Sequence, residues 1–184
     1  HVAADPARTA ARNRLAILRP GRPLHWTVNA PVRSFPLMGI AYLTRKVGFA
    51  AAHRYHRPDW SDEENRRVFG ACANPHGHGH NYVLEATFEA EIDPRTGFSV
   101  DLPAVDALLH EHVVARLDHQ HLNHAVEAFA SGRLIPTSEN ILADLWPRIA
   151  GGAPAGARLV RLRLHEDPTF YVEYYGGGPA PAIP

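Results

Sequence analysis

His78-Gly79-His80 sets two imidazoles two residues apart at the opening of a segment where Tyr82, Leu84, Ala86 and Phe88 alternate with Val83, Glu85, Thr87 and Glu89. Residues i and i+2 of a strand share a face, so both rings can reach one metal ion. Gly77 and Gly79 leave room for it. His53, at the end of an earlier apolar stretch, supplies a third ligand if the two strands pair. Three imidazoles with one open position describe a catalytic zinc site, since a structural site fills the fourth position with protein. Spacing alone leaves other arrangements open. His76-Gly77-His78 offers the same ligand pair in another register, Cys72 could close the coordination sphere, and a His-rich turn can simply be solvated.

Cys72 is the only cysteine. A thiol serves as a base or nucleophile where a metal, a cation or a hydrogen-bonded histidine favours its thiolate, and is otherwise most often buried packing. Asp118-His119 reads on its own as a polar helix end. Glu166 reads as a strand-end acid, and Thr137-Ser138-Glu139 as a helix cap and first turn.

The elements that would position these groups follow from periodicity. Met38 to Ala51 reads as a strand, as does Tyr82 to Glu91. Asp93-Pro94-Arg95-Thr96-Gly97 forms a turn, after which Phe98 to Val100 can pair back as a hairpin. Asp101 caps a helix carrying Leu102, Val105, Leu108, Leu109 and Val113 at helical spacing. Thr137 or Ser138 caps a second helix with Ile141, Leu142, Leu145, Trp146 and Ile149 on one side, which Pro147 should kink or shorten. Arg158 to His165 and Phe170 to Tyr175 are further strands. With few crossover helices available, the expected class is α+β, an antiparallel sheet with two helices on one face.

The 184 residues suit one domain with a sizeable core. We expect a Pro/Arg/Ala-rich extension over 1–37, the domain over 38–176 and a flexible Gly/Pro tail over 177–184. The first residue is His and not Met, as a processed terminus or a remnant of expression would give, so the terminus is left out of the fold reading. A composition of 45% hydrophobic and 21% charged residues is that of an ordinary soluble protein. A formal net charge of +0 gives no general attraction to nucleic acid or to anionic membrane, so an anionic ligand must be met by local arginines. The lone cysteine excludes an intrachain disulfide, and no apolar run approaches the roughly 20 residues of a membrane span. A cytoplasmic protein is expected.

Several separated motifs carry a family resemblance. Phe49-Ala50-Ala51-Ala52-His53-Arg54, Ser61-Asp62-Glu63-Glu64-Asn65, and Val68-Phe69-Gly70-Ala71-Cys72 running on to His78-Gly79-His80-Asn81-Tyr82 resemble 6-pyruvoyl tetrahydropterin synthases. Glu91 to Gly97, Leu117-Asp118-His119, Pro136-Thr137-Ser138-Glu139-Asn140 and His165-Glu166 match in order, so that the resemblance spans about 43–175. It implies a tunnelling fold, in which four-stranded antiparallel sheets with two helices join into a barrel, commonly a hexamer of two trimers. It implies zinc on His53, His78 and His80, with Asn81-Tyr82 settling the register against His76. Cys72 becomes the proton-abstracting base and Asp118 and His119 its relay, while Glu166 anchors the pterin in a pocket lined by Thr137, Ser138 and Glu139. The implied reaction is that of a phosphate-eliminating lyase, converting 7,8-dihydroneopterin triphosphate to 6-pyruvoyl-tetrahydropterin. Arg45, Lys46, Arg54 and Arg57 are candidate triphosphate contacts beside a plain reading as surface charge; His121 and His124 read as surface or packing residues.

Two alternatives remain at this stage. A 6-carboxytetrahydropterin synthase usually has three residues between the cysteine and its HGH. Cys72 to His78 has five, but Cys72 to His76 has three. The non-enzymatic alternative is a zinc-stabilised module closed by Cys72.

Overall fold

The computed structural model describes residues 39–178. The expected extension over 1–37 and all of the expected tail beyond Gly178 lie outside the described residues. Strands β1 (Ile40–His53) and β2 (His78–Glu91) pair antiparallel along their whole length, from Ile40 opposite Glu91 to His53 opposite His78. Strand β4 (Arg158–Asp167) pairs with β2, and β5 (Phe170–Tyr174) with β4, both antiparallel. Strand β3 (Gln120–His121) lies parallel to β1 at Ala51 and Ala52, giving the order β3-β1-β2-β4-β5. The expected four-stranded antiparallel sheet is thus a five-stranded mixed one. Two residues are too few to show an alternating pattern, so β3 left no trace in the sequence.

Alternation decides which face of the sheet is covered. Tyr82, Leu84, Ala86, Phe88 and Ala90 of β2, Phe49 and Ala51 of β1, and Leu162 and Leu164 of β4 are all buried in one core. Helix α6 (Ser138–Gly151) contributes Ile141, Leu142, Leu145 and Ile149 to that core. Helix α2 (Leu102–Leu109) contributes Val105, Leu108 and Leu109, and its winding continues through a π-helical segment, His110–Val114, into α3 (Ala115–Leu117). The opposite face carries a charged row, Lys46, Glu85, Arg163 and Glu173, in which Glu85 lies 2.7 Å from Lys46 and 3.8 Å from Arg163.

The caps act where their chemistry predicts. The Asp101 side chain accepts from Ala104 N–H, and Thr137 caps α6 by accepting from Asn140 N–H. Three expectations need correction. Phe98 to Val100 is not a strand: Asp93 N–H donates to Phe98 O, but the chain then turns Val100 into the core and runs straight to the α2 cap. Pro147 does not shorten α6, which continues to Gly151. Helix α1 (Asp62–Phe69) lies where only a motif was read, although Ser61 caps it, three acids open it and Gly70 closes it at φ 55°. Short helices α4 (Leu122–Ala125) and α5 (Glu127–Ala130) fill the chain between β3 and α6. No helix among the described residues is long and apolar enough to cross a membrane.

Truncating a side chain at the centre of this core removes packing that nothing else can refill. Phe88, fully buried, should cost about 3–5 kcal/mol on substitution by Ala. Phe98→Ala, at a residue 74% exposed, should stay within roughly 0.5 kcal/mol. Urea unfolding of both variants measures the contrast.

Candidate metal and pterin site

Because His53 stands opposite His78 across the β1–β2 ladder, and His80 follows at i+2, all three imidazoles leave the sheet on one face. Their ligand atoms all lie within 4.8 Å of one another, and the group could hold a metal ion. His53 Nε2 stands 3.1 Å from His78 Nε2 and 3.2 Å from His80 Nε2. Ligand nitrogens at ~2.0–2.1 Å from a tetrahedral zinc stand roughly 3.3 Å apart, so both spacings from His53 fit that ion. His76 is exposed, its backbone N–H donating to Asn74 Oδ1, and it takes no part in the group.

Protonation suits the same purpose. His53 Nδ1 lies 3.1 Å from the Pro136 carbonyl, which can only accept, so Nδ1 carries the proton and Nε2 keeps its lone pair for the cluster. The Tyr82 hydroxyl oxygen lies 3.0 Å from the same Nδ1. Burial, with His78 and His80 adding to it, pulls the His53 imidazole down to about 4. Burial also lowers His78. Both rings are therefore neutral near pH 7, the state that binds a metal. Gly77 makes the approach feasible: it sits at φ 69°, and a Cβ there would meet His53 O at 2.6 Å.

Around the trio, Glu166 Oε1 lies 3.3 Å from His80 Nε2, and Ser138, itself buried, donates its hydroxyl to Glu166 Oε2. Thr137 is half-buried and Glu139 exposed at the same end of α6. Cys72 follows α1 on a 3-10 turn, Gly70–Ala73, with Sγ 3.9 Å from His78 Nε2, outside the three-histidine group. Burial, and then the charge of Glu166, push its thiol up, so the protein alone holds it protonated.

Asp118 and His119 lie at the edge of β1, and among the described residues no hydrogen bond joins them to the three histidines. Asp118 Oδ1 accepts from Ala50 N–H at 2.7 Å and Oδ2 lies 2.9 Å from His119 Nδ1, which leaves His119 Nε2 free. The backbone hydrogen bond from Ala50 is the main cause holding the Asp118 carboxyl below the usual range. His119 sits at φ 58°, pinned by its N–H to Ala50 O, with a side chain 83% exposed. With Ala50, Gly79, Asn81 and His80 of the three-histidine group it lines a cavity of about 540 Å3. Among the described residues no hydrogen bond or ion pair joins this dyad to Cys72.

Sequence reasoning missed Tyr55, Tyr82 and Pro136. Tyr55 packs against His53 at 4.7 Å between ring centroids, and its hydroxyl is raised by burial and then by Glu166 and Cys72, which puts it among the site groups. Tyr55 and Tyr82 each lie two residues beyond a ligand on the same chain direction, a period-2 signal that was available; a backbone carbonyl such as Pro136 O leaves none.

Fold and site define an α+β protein with an open three-histidine centre flanked by a carboxylate and a thiol. The family model for 6-pyruvoyl tetrahydropterin synthase matches residues 42–177, and the chain belongs to that family. It is 39% identical over 141 residues to the 6-pyruvoyl tetrahydrobiopterin synthase of Poecilia reticulata, spanning 77% of this chain and 94% of the relative. It is 38% identical over 144 residues to the Drosophila melanogaster protein of the same name, spanning 78% and 84%. The structure of Caenorhabditis elegans 6-pyruvoyl tetrahydropterin synthase is similar with a TM-score of 0.70 at 32% identity, covering 77% of this chain and 99% of that one.

The buried neutral histidine gives a pH test. In metal-free protein, His53 is neutral in both folded and unfolded states above its unfolded value of about 6.5. As pH falls toward about 4, only the unfolded chain takes up the proton, so stability present above 6.5 is lost across that window. The loss is on the order of 3 kcal/mol. Urea midpoints of chelator-treated wild type should fall between pH 6.5 and 4, and those of His53→Gln should fall distinctly less. Equal slopes would contradict a buried neutral His53.

Proposed function

We propose that the chain is a zinc-dependent 6-pyruvoyl tetrahydropterin synthase, a carbon-oxygen lyase that converts 7,8-dihydroneopterin triphosphate to 6-pyruvoyl-tetrahydropterin and triphosphate. The observation that carries this reading is the convergence of His53, His78 and His80 beside Glu166 and Cys72 in a chain of this family. His53, His78 and His80 hold the zinc ion, which when bound supplies Lewis-acid chemistry to the hydroxyls of the pterin side chain.

Every other role falls to the chain's own groups. Glu166 accepts two parallel hydrogen bonds from the amino and ring N–H groups of the pterin edge, and Ser138 steadies it by donating to its second oxygen. Thr137 and Glu139 line the same pocket. Cys72 removes and returns a proton during the internal redox transfer, a role its raised thiol would take as the thiolate that a bound cation would favour. His119 returns a proton on the other side of the substrate, oriented by Asp118 through Nδ1.

That no hydrogen bond or ion pair joins the dyad to Cys72 among the described residues supports a homo-oligomer, a trimer or hexamer closing the sheets into a barrel, in which one copy's dyad can complete another's Cys72. Two features favour strand pairing between copies. Strand β1 is paired on its outer side only at Ala51 and Ala52, and β5 is the other outer strand. Ile40, Tyr42, Phe170 and Tyr171 are large and exposed along these edges. A lone cysteine suits the reducing cytoplasm, where we place the protein. The carboxytetrahydropterin alternative is disfavoured by the exposure of His76, because the spacing that counts then runs from Cys72 to His78.

Product analysis tests the reading. Zinc-loaded protein given 7,8-dihydroneopterin triphosphate should release triphosphate and retain the pyruvoyl side chain by mass spectrometry; carboxytetrahydropterin with acetaldehyde would sink it. Cys72→Ala should keep its zinc while losing turnover by about a hundredfold or more, the range of a missing acid–base group. Loss of zinc in that variant would instead mark a closed, structural site.

A further inference from the structure

Of the four cations that the sequence offers as phosphate contacts, three are already matched. Arg45 is bonded to Asp106, Lys46 lies 2.7 Å from Glu85, and Arg57 is bonded to Asp59. Arg54 is different. Its Nε donates to the Ala73 carbonyl, and among the described residues no carboxylate lies within 4.0 Å of its guanidinium. A half-buried guanidinium without a counter-charge is costly unless an anion arrives to compensate it.

Arg54 lines a cleft of about 400 Å3 with His56, His121 and His124, closed by Pro75 and Phe129 among others, and none of the lining residues is acidic. The nearest carboxylate to these rings, Asp62, stands 4.0 Å from His56 Nε2 and is itself largely exposed. His121 and His124 pack with ring centroids 4.7 Å apart, and His121 Nδ1 is buried with no hydrogen-bond partner. An orphaned ring nitrogen in a native site calls for a partner of its own. The cleft is built rigidly: the Asn123 side chain accepts from Arg54 N–H and donates to Arg54 O, fixing the backbone from which the guanidinium extends. It also borders the metal centre. Arg54 follows the ligand His53, and the His121 ring lies against Gly77, one residue before the ligand His78.

We propose that this cleft is a polyphosphate subsite, with Arg54 as its principal charge and His121 and His124 as further N–H donors, and that it receives the triphosphate tail of the substrate. The second part rests on the function proposed above; the first does not. The chemistry is that of a compact polyanion taking several charge-assisted hydrogen bonds from a wall with no competing acid. Released inorganic triphosphate presents the same groups, so the two sources must be separated by experiment.

The probe is inorganic tripolyphosphate, titrated by calorimetry into the zinc-loaded full chain as wild type, Arg54→Gln and His124→Gln. Zinc content and the affinity for unphosphorylated neopterin are measured beside it. Tripolyphosphate should bind wild type and weaken about tenfold or more in each variant, the worth of one charge-assisted contact, with zinc and neopterin binding unchanged. No binding, or equal binding in all three proteins, overturns the subsite, and His124→Gln keeps the test alive should Arg54→Gln fold poorly. A KM for 7,8-dihydroneopterin triphosphate that rises in the variants while kcat holds supports the substrate tail as occupant. An unchanged KM alongside lost tripolyphosphate binding overturns that part and leaves released triphosphate. If wild type turns over no dihydroneopterin triphosphate yet the variants still lose tripolyphosphate, the proposed function fails and the anion subsite stands.

Discussion

The antiparallel register between β1 and β2, with His53 across from His78, is the constraint on which the site depends. It is enforced far from the histidines. Phe49 faces Tyr82, Val47 faces Leu84, and the buried apolar residues of β2 fall on every second position from Tyr82 to Ala90. A slip of one residue would turn this whole set to the charged face, at ~1.5–3 kcal/mol for each large side chain exposed. The three histidines therefore inherit their alignment from the core and need no strong interactions of their own to find one another.

That inheritance has an electrostatic consequence. The core buries His53 completely, and burial holds it neutral with its lone pair turned toward two further imidazoles. Glu166 sits beside the same rings, its second oxygen occupied by Ser138. Two imidazoles held neutral, the His80 ring beside them and a nearby carboxylate form an arrangement that a dication would complete, and the thiol of Cys72, raised by burial and by Glu166, is a group whose chemistry such a cation would alter. The π-helical segment between α2 and α3 leads to the other proposed proton carrier, since α3 ends at Leu117 and hands the chain to Asp118 and His119 at the β1 edge.

How much of this could be read from residues alone follows the length scale of each signal. The alternation from Tyr82 onward and the Asp101 and Thr137 caps are local and strong, and they lie where periodicity and capping place them. The pair His78 and His80 is equally local. His53 required knowledge of strand pairing, and spacing could not choose between His76 and His80; the family resemblance made that choice, and the geometry agrees with it. Strand β3 is too short to carry a pattern, and the hairpin expected at Phe98 failed because the alternation of three residues cannot distinguish a strand from a turn entering a helix cap. Helix α1 is legible from Ser61, its acids and Gly70, signals that fall in and after the Ser61–Asn65 motif. The cleft around Arg54 was not legible, because its cation and its histidines come from segments nearly 70 residues apart.

The central claim is that three imidazoles, and no sulfur, hold the ion while one position stays open. X-ray absorption at the zinc edge of the loaded full chain reads this directly. Three nitrogen ligands at about 2.0–2.1 Å with a light oxygen donor in the fourth position is the result expected. A sulfur at about 2.3 Å would put Cys72 among the ligands and contradict an open catalytic centre.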